Sequence, residues 1–551
     1  MAALPAELLQ RIVYFADHDT RKSLLTVSHG FQTFAEEATW PHELDVVSDN
    51  DIGQIARFTG RRARLLHRVS VAIKFPELRE TREHWLKCRE TAAELHANDV
   101  FFTRRIARVF DALKRVEESV LDPETIPRIE LCIQGPVQRD NGEQPCDHRR
   151  YHSWRLHLLS PSALPILRCV RHLEVGVEID DRVFGVACRQ QRPVDLSVIV
   201  SLLTKLPSCK TLECADDHER MPYAFDSSPV LEHFTRPWEG PRRDSRHDFG
   251  RAVLLNLETL PALKGIDMRL GAFECIVDQS KPLPDLVSPE FSHDPVSSAL
   301  RILSQGVVDF NVCLFGDSTL FWPPSPESQP TAMLVPDYDT TVTPPRLPSW
   351  PHLKRLKVEL LPATPRGGWY FRGAREEARR EVGYRVTRDG HYPPLEDNEA
   401  DERWDVRWDQ EWAREENVAP NVFRIVPVAE AVEGLLEAFA RALGRMPVLE
   451  EAELSFKLYL YYEESDHPGD LRELTRYNQA DVTEIRYGTV QCNEKWTWGV
   501  KYSALPGDSR RLEWRVGDWR PSERVLNLFR DAVGDVEEKW FNRPSKIVER
   551  D

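Results

Sequence analysis

Leu206-Pro-Ser-Cys-Lys-Thr-Leu-Glu-Cys-Ala-Asp216 recurs without gaps as Leu260-Pro-Ala-Leu-Lys-Gly-Ile-Asp-Met-Arg-Leu270, Trp350-Pro-His-Leu-Lys-Arg-Leu-Lys-Val-Glu-Leu360 and Met446-Pro-Val-Leu-Glu-Glu-Ala-Glu-Leu-Ser-Phe456. Positions 1, 4, 7, 9 and 11 of this phrase are apolar in almost every copy, and position 2 is always proline. Proline ends a preceding helix, because it cannot donate the next backbone hydrogen bond and it restricts the residue before it. Alternation at positions 7, 9 and 11 is the period-two pattern of a strand with one buried face. Helical periodicity precedes several copies. Val432, Leu435, Leu436, Phe439 and Leu443 share one stripe within Ala429 to Arg445, and Ser197 to Lys205 and Ala252 to Thr259 are shorter versions. Each unit reads helix, proline turn, strand. The expectation is an α/β array whose strands line up as neighbours, each unit burying its face on the next.

A fifth, looser copy, Leu164-Pro-Ile-Leu-Arg-Cys-Val-Arg-His-Leu-Glu-Val-Gly-Val177, carries three extra residues. The prolines at 165, 207, 261, 351 and 447 are 42, 54, 90 and 96 residues apart. Those gaps exclude an uninterrupted repeat of roughly 20 to 29 residues. Either insertions or degenerate units lie between the clear copies. Pro323 to Pro351 holds nine prolines with Ser, Thr and Gln, which predicts an extended loop and an insertion over about 323–349. Arg372 to Pro420, with 14 acidic and 9 basic residues, predicts a second insertion over about 372–420, part helix and part linker. Within it Trp404, Trp408 and Trp412 recur every fourth residue and share one face of a helix. That stripe either fixes the inserted helix onto the array or presents an aromatic, target-binding face.

Composition bounds the rest. A chain of 551 residues suggests three or four domains or one elongated array. Subtracting 89 acidic from 73 basic residues leaves −16, which argues against nucleic acid as the default partner. No stretch approaches the roughly 18 consecutive apolar residues of a membrane span. The opening Met1-Ala-Ala-Leu-Pro-Ala-Glu has no positive region before its apolar residues and does not read as a signal peptide. The ten cysteines include no Cys-x-x-Cys pair, so reduced thiols in the cytoplasm or nucleus are expected.

Cys132, Cys146, His148, His152 and His157 are metal-ligand types, but the paired-cysteine knuckle of a structural zinc site is missing, and no metal or other cofactor is expected. Phe315-Gly316-Asp317-Ser318 resembles the nucleophile block of GDS-type esterases. Its serine needs a histidine, and the only Asp-x-x-His, Asp244-Ser-Arg-His247, lies upstream of Ser318. A strand-end turn is the expected role, no catalytic residue is assigned, and a non-enzymatic chain is expected.

The N-terminal forty residues read as three short helices. Leu4-Pro5-Ala-Glu7-Leu8-Leu9-Gln-Arg-Ile12-Val13-Tyr14-Phe15 opens with proline and an early glutamate, both favourable at a helix start, and carries a wide apolar stripe. Asp17-His-Asp19-Thr20 breaks it, a second helix runs through Ser23 to Val27, Ser28 caps a third, and Trp40-Pro41 ends that one. Leu4-Pro-x-Glu-Leu-Leu-x-x-Ile12, Leu24-Leu-x-Val27-Ser28-x-x-Phe31, Phe34-Ala35 and Trp40 together resemble an F-box. His29-Gly30 stand where basic residues are common in that motif, and Phe31 replaces a frequent tryptophan. Trp350 to Phe371, Asn98 to Ile106 and Leu320-Phe-Trp-Pro323 resemble phrases in F-box proteins of filamentous ascomycete fungi with degenerate leucine-rich repeats.

The resemblance implies an N-terminal three-helix F-box over 1–42 and an irregular leucine-rich-repeat-like α/β solenoid with insertions over 43–551. It further implies the receptor subunit of an SCF-type ubiquitin ligase, bound to a Skp-type adaptor and through it to cullin, with an unidentified protein substrate. By the motif match, Leu4, Pro5, Leu8, Leu9, Ile12, Leu25, Val27 and Trp40 are the candidate adaptor-binding residues. A non-ligase interaction scaffold is the alternative.

Overall fold

The computed structural model describes residues 4–75, 91–121, 126–135, 137–138, 154–176, 192–215, 238–271, 279, 282–287, 291, 293–324, 347–373, 382–393, 424–463, 485–486, 489–504, 509–541 and 545–546. Three short helices open the chain: α1 (Ala6–Phe15), α2 (His18–Leu24) and α3 (His29–Thr39). A large, mostly parallel sheet follows, and the chain is mixed α/β as the repeated phrase predicts. Strands β1 (Glu43–Val46), β2 (Arg68–Val71), β3 (Ile129–Gln134), β4 (Val170–Gly176) and β5 (Thr211–Ala215) lie side by side in chain order. The series continues through β6 (Gly265–Arg269), β7 (Asp309–Leu314), β8 (Arg355–Leu360) and β9 (Glu451–Glu463), each parallel to the one before. Direction then reverses: β10 (Thr489–Ser503) is antiparallel to β9, and β11 (Arg511–Arg515) to β10. Strand β12 (Glu537–Trp540) is parallel to β11, and the sheet stays open, with β1 and β12 at its edges. Helices α4 (Asp49–Ile55), α5 (Ala92–Glu118), α6 (Leu196–Leu203), α7 (Glu239–Leu255), α8 (Pro295–Ser304), α9 (Ala429–Leu443) and α10 (Glu523–Val533) share one continuous core with the strands.

Register explains the phrase. Leu212, Ile266, Phe310, Leu356 and Ala452, all at position 7, stand opposite one another from β5 to β9. Cys214, Met268, Val312, Val358 and Leu454 form the position-9 row, and Leu314, Leu360 and Phe456 stand in the position-11 row. All are buried. A Leu or Val buried this way stabilises by roughly 1.5–3 kcal/mol, and a one-residue slip of any strand would turn its whole row to solvent. Position 5 stands just before each strand. The Lys264 and Gly265 N–H groups donate to the Lys210 carbonyl, those of Val308 and Asp309 to Lys264, those of Lys354 and Arg355 to Val308, and those of Glu450 and Glu451 to Lys354.

A unit without the proline lies between the copies at 261 and 351. In α8 and β7, Ser304 occupies position 1 and Gln305 replaces proline, while Val307, Phe310, Val312 and Leu314 keep positions 4, 7, 9 and 11. The polar residue is accommodated by the next unit, since the Trp350 indole Nε1 donates to Ser304 Oγ at 2.8 Å. The looser copy at Leu164 follows only a 3-10 turn, Pro161–Ala163. There α5 substitutes, its buried Glu117 accepting from the Arg168 N–H and, at 2.8 Å, from the Cys169 N–H.

The connections are unequal. Helix-to-strand turns are short, from Leu203 to Thr211, Leu255 to Gly265, Ser304 to Asp309 and Leu443 to Glu451. The long segments run instead from strand ends, as from Ala215 to Glu239, Arg269 to Pro295 and Leu360 to Ala429. The length between phrases therefore sits at the carboxyl ends of the strands, with one degenerate unit as well.

A buried ion pair ties the units beneath that edge. Arg246 of α7 and Asp294, the cap of α8, are both fully buried, with Nη2 to Oδ2 at 2.7 Å and Nε to Oδ1 at 3.1 Å. Arg246 Nη2 also donates to the Phe315 carbonyl at the end of β7, and Asp294 Oδ2 accepts from the Ser297 N–H at 2.8 Å. Removing one member leaves the other charge buried. Arg246→Met is expected to lower unfolding stability by about 3–5 kcal/mol, while Arg355→Met, at an exposed pair, changes it by less than about 1 kcal/mol; chemical denaturation of both variants checks this.

Candidate functional site

The three N-terminal helices are set by local capping. The Leu8 and Leu9 N–H groups donate to the Pro5 carbonyl and start α1. Asp17 accepts from the Thr20 N–H at 2.7 Å, which starts α2 earlier than the sequence reading places it. Leu25-Thr26-Val27 accordingly form the turn after α2, closed by Thr26 and Val27 N–H donating to the Ser23 and Leu24 carbonyls. Arg21 reaches back and donates to the Val13 and Tyr14 carbonyls at 3.0 and 2.9 Å, closing the end of α1. Ser28 caps α3 as the sequence predicts, accepting from the Phe31 N–H at 3.3 Å. A Cβ on Gly30 would come within 2.9 Å of Leu9 Cδ1, so a larger residue there would require the Leu9 side chain of α1 to shift.

The residues singled out in this segment divide between two faces. Leu4, Leu8, Ile12 and Val27 are 50%, 44%, 44% and 61% exposed, and Pro5 is exposed beside them. Leu9 and Leu25 are half-buried, and Val13 and Ala35 form the buried centre of the module. Trp40 faces the other way. It packs on the main core, edge-on to Phe58 at 5.1 Å between ring centroids, with the Arg62 guanidinium 4.7 Å above its ring. Phe15, exposed, extends the apolar side beyond the residues read from the motif, and the exposed Tyr14 lies edge-to-face with it at 5.2 Å. Phe15, three residues after Ile12 on the same stripe, carried a legible signal; Tyr14, off that stripe, did not.

Helix α3 also joins the module to the sheet. Its Glu36 is buried and accepts through Oε1 from Arg61 Nη2 at 3.0 Å and Arg62 Nε at 3.1 Å. Both arginines belong to the 3-10 turn Gly60–Leu65 that leads into β2.

The other side of the sheet carries pairs of opposite charge and a polar contact. Arg68 pairs with Glu174 at 2.9 Å, Arg355 with Asp309 at 2.6 Å and Lys457 with Glu359 at 3.0 Å, and Asn311 donates to Asp267 at 2.8 Å. Trp404, Trp408 and Trp412 lie outside the described residues, as do Cys146, His148 and His152. In the second insertion, 382–393 docks on α7. The Tyr392 hydroxyl donates to Asp244 at 2.7 Å and accepts from Arg243 at 2.9 Å, while the Tyr384 hydroxyl donates to Glu239. Trp498 and Trp514 are buried in β10 and β11, and Trp519 packs against Trp498.

The Gly316-Asp317-Ser318 block forms a turn at the end of β7. The Gly316 carbonyl accepts from the Tyr370 hydroxyl at 2.7 Å, and Asp317 accepts from the Thr319 and Asp294 N–H groups. Burial and the neighbouring Asp294 push the Asp317 carboxyl up to about 6. His247, lowered by burial, lies edge-on to Phe291 at 5.1 Å. Cys132 sits between Glu174 and Arg68, and burial pushes its thiol up to about 12. Among the described residues no group of three or more His, Cys, Asp or Glu is arranged to hold a metal, and no helix is long and apolar enough to cross a membrane.

His157 bridges helices instead, its Nδ1 3.8 Å from Asp99 of α5 and its Nε2 3.8 Å from Asp195, the cap of α6. The Asp99 carboxylate beside the ring, with the charges of Asp195 and Asp248, holds its pKa above the ordinary histidine value against the opposing effect of burial. A raised histidine stabilises the fold fully below its unfolded value and loses that contribution as pH rises through the folded value. The melting-temperature gap between wild type and His157→Gln is therefore expected to be largest at pH values below the ordinary histidine pKa and to shrink as pH rises through the raised folded value, as thermal scans across pH would show. No protein-family model matches the chain, and no curated protein sequence matches it.

Proposed function

We propose that the chain is the substrate-recognition subunit of an SCF-type ubiquitin ligase: an F-box over 1–42, then an irregular leucine-rich-repeat-like solenoid that holds a target protein. The observation that carries this reading is the exposed apolar side of the N-terminal module, Leu4 just before α1, Leu8 and Ile12 along it, and Val27 from the turn after α2. A single exposed leucine is ordinary, whereas several on one helix face of a small module are expected to be covered by a partner. Those residues coincide with the F-box phrase, whose partner is a Skp-type adaptor. Trp40, packed on the core, is better read as holding the module in place than as an adaptor contact. The progression of parallel strands in chain order supports the solenoid reading.

In this role the chain makes and breaks no bond. It tethers a target while the adaptor links it to cullin and the loaded conjugating enzyme, which raises the local concentration of target lysines. The double variant Leu4→Ala, Pro5→Ala changes exposed side chains and should leave the fold intact. Its affinity for a recombinant Skp-type adaptor is expected to fall about tenfold or more, read by isothermal titration. Wild-type affinity in that variant rejects the assignment. Purification of the wild-type chain should bring down both adaptor and cullin; adaptor without cullin selects the non-ligase scaffold instead.

A further inference from the structure

Helix α3 has two working sides. Gly30 receives Leu9 of α1, while Gln32, Glu36 and Trp40, each four residues apart, share the side that meets the turn Gly60–Leu65. Glu36 is buried although its partners Arg61 and Arg62 keep 42% and 39% of their side chains exposed. Arg61 also donates to Gln32 at 2.9 Å, and Arg62 covers the Trp40 ring. Around this pair Arg64 reaches Glu37 at 3.5 Å, and the His42 ring bridges the Glu37 and Leu65 carbonyls at 3.1 Å each. A buried carboxylate is tolerated only with opposite charge held at a fixed place, and a guanidinium fork fixes direction as well as distance. Apolar contact between Trp40 and Phe58 alone would allow the module to slide or tilt.

We infer that Glu36 is a positioning residue, fixing the direction in which the apolar side of α1 points relative to the sheet. The inference rests on the reading of α1 as the adaptor-binding helix for its consequence: an enzyme docked through the adaptor stands at a set place over the repeat units. Losing Glu36 would leave adaptor affinity intact and release that placement.

The full-length chain carries the test, as Glu36→Ala and, from the other side of the seam, as Arg61→Ala with Arg62→Ala. Amide exchange over 36–47 and 57–67 is expected to accelerate about tenfold or more in both, with affinity for a recombinant Skp-type adaptor within about twofold of wild type. In a ligase reconstituted with adaptor, cullin and conjugating enzyme, mass spectrometry should find ubiquitin on a broader set of this chain's own lysines. Reversing the charges together, Glu36→Arg with Arg61→Glu and Arg62→Glu, should restore exchange and lysine pattern. Wild-type exchange in both disrupted variants overturns the inference, and faster exchange with an unchanged lysine pattern overturns its consequence. If the wild-type chain binds no adaptor, the functional reading falls, while the exchange measurement still decides whether Glu36 holds the module. Should Glu36→Ala lose its folded circular-dichroism signal, the arginine variant, whose changes lie on partly exposed side chains, decides alone.

Discussion

From β6 to β9, every strand begins by giving two backbone N–H groups to a single carbonyl of the unit before it, at Lys210, Lys264, Val308 and Lys354 in turn. The same arrangement opens the sheet, where the N–H groups of His67 and Arg68 share the His42 carbonyl. The contact involves only main-chain atoms, so any residue but proline can donate in it, and it fixes where each strand starts relative to its neighbour. The buried rows at positions 7, 9 and 11 follow from that starting point. So do the charge pairs on the other side of the sheet, where Arg355 meets Asp309 and Lys457 meets Glu359 across adjacent strands at hydrogen-bond distance.

The N-terminal module is attached by different physics. Within the sheet, units adhere through continuous apolar burial, which is non-directional and tolerates substitution of one aliphatic residue for another. Between α3 and the sheet the contact is small and depends on one buried carboxylate, two guanidiniums and a tryptophan. A small seam of this kind holds orientation more than it adds stability. The outward side of α1 is left free of the seam, with Leu8 and Ile12 in solvent.

The repeated phrase was legible because its proline and its alternation act through the backbone and appear at fixed spacing. The unit of α8 and β7 lacks that proline, and its polar Ser304 breaks the apolar count, since the hydrogen bond from Trp350 that accommodates it spans 46 residues. Helix α7 was visible only in its last turns. Its first half, Glu239-Gly-Pro-Arg-Arg-Asp-Ser-Arg, is polar yet holds buried residues, because Arg246 finds Asp294 and Gly240 leaves room for the Tyr392 ring. Apolar periodicity is blind to a helix buried through charge pairing. In the N-terminal module the helix breaks and the Ser28 cap were readable, whereas the earlier start of α2 depends on the Asp17 cap and the inward turn of Trp40 on residues that lie beyond the motif. The choice of adaptor as partner came from resemblance; the exposure of Leu4, Leu8 and Ile12 is what supports it.

The uneven lengths of the connections have a mechanical consequence. The carbonyls that set strand position lie at the amino ends of the strands, next to the short helix-to-strand turns, while the long segments leave from the opposite ends. Lengthening a segment between Ala215 and Glu239, or between Leu360 and Ala429, moves no strand start and adds only slowly growing loop entropy. One extra residue between Leu206 and Thr211 would displace Leu212 and Cys214 from the buried rows and force the neighbouring strands to follow or part. The array is thus built like a comb: stiff along its spine, where spacing is inherited from tooth to tooth, and free to vary at the tips without disturbing the spine.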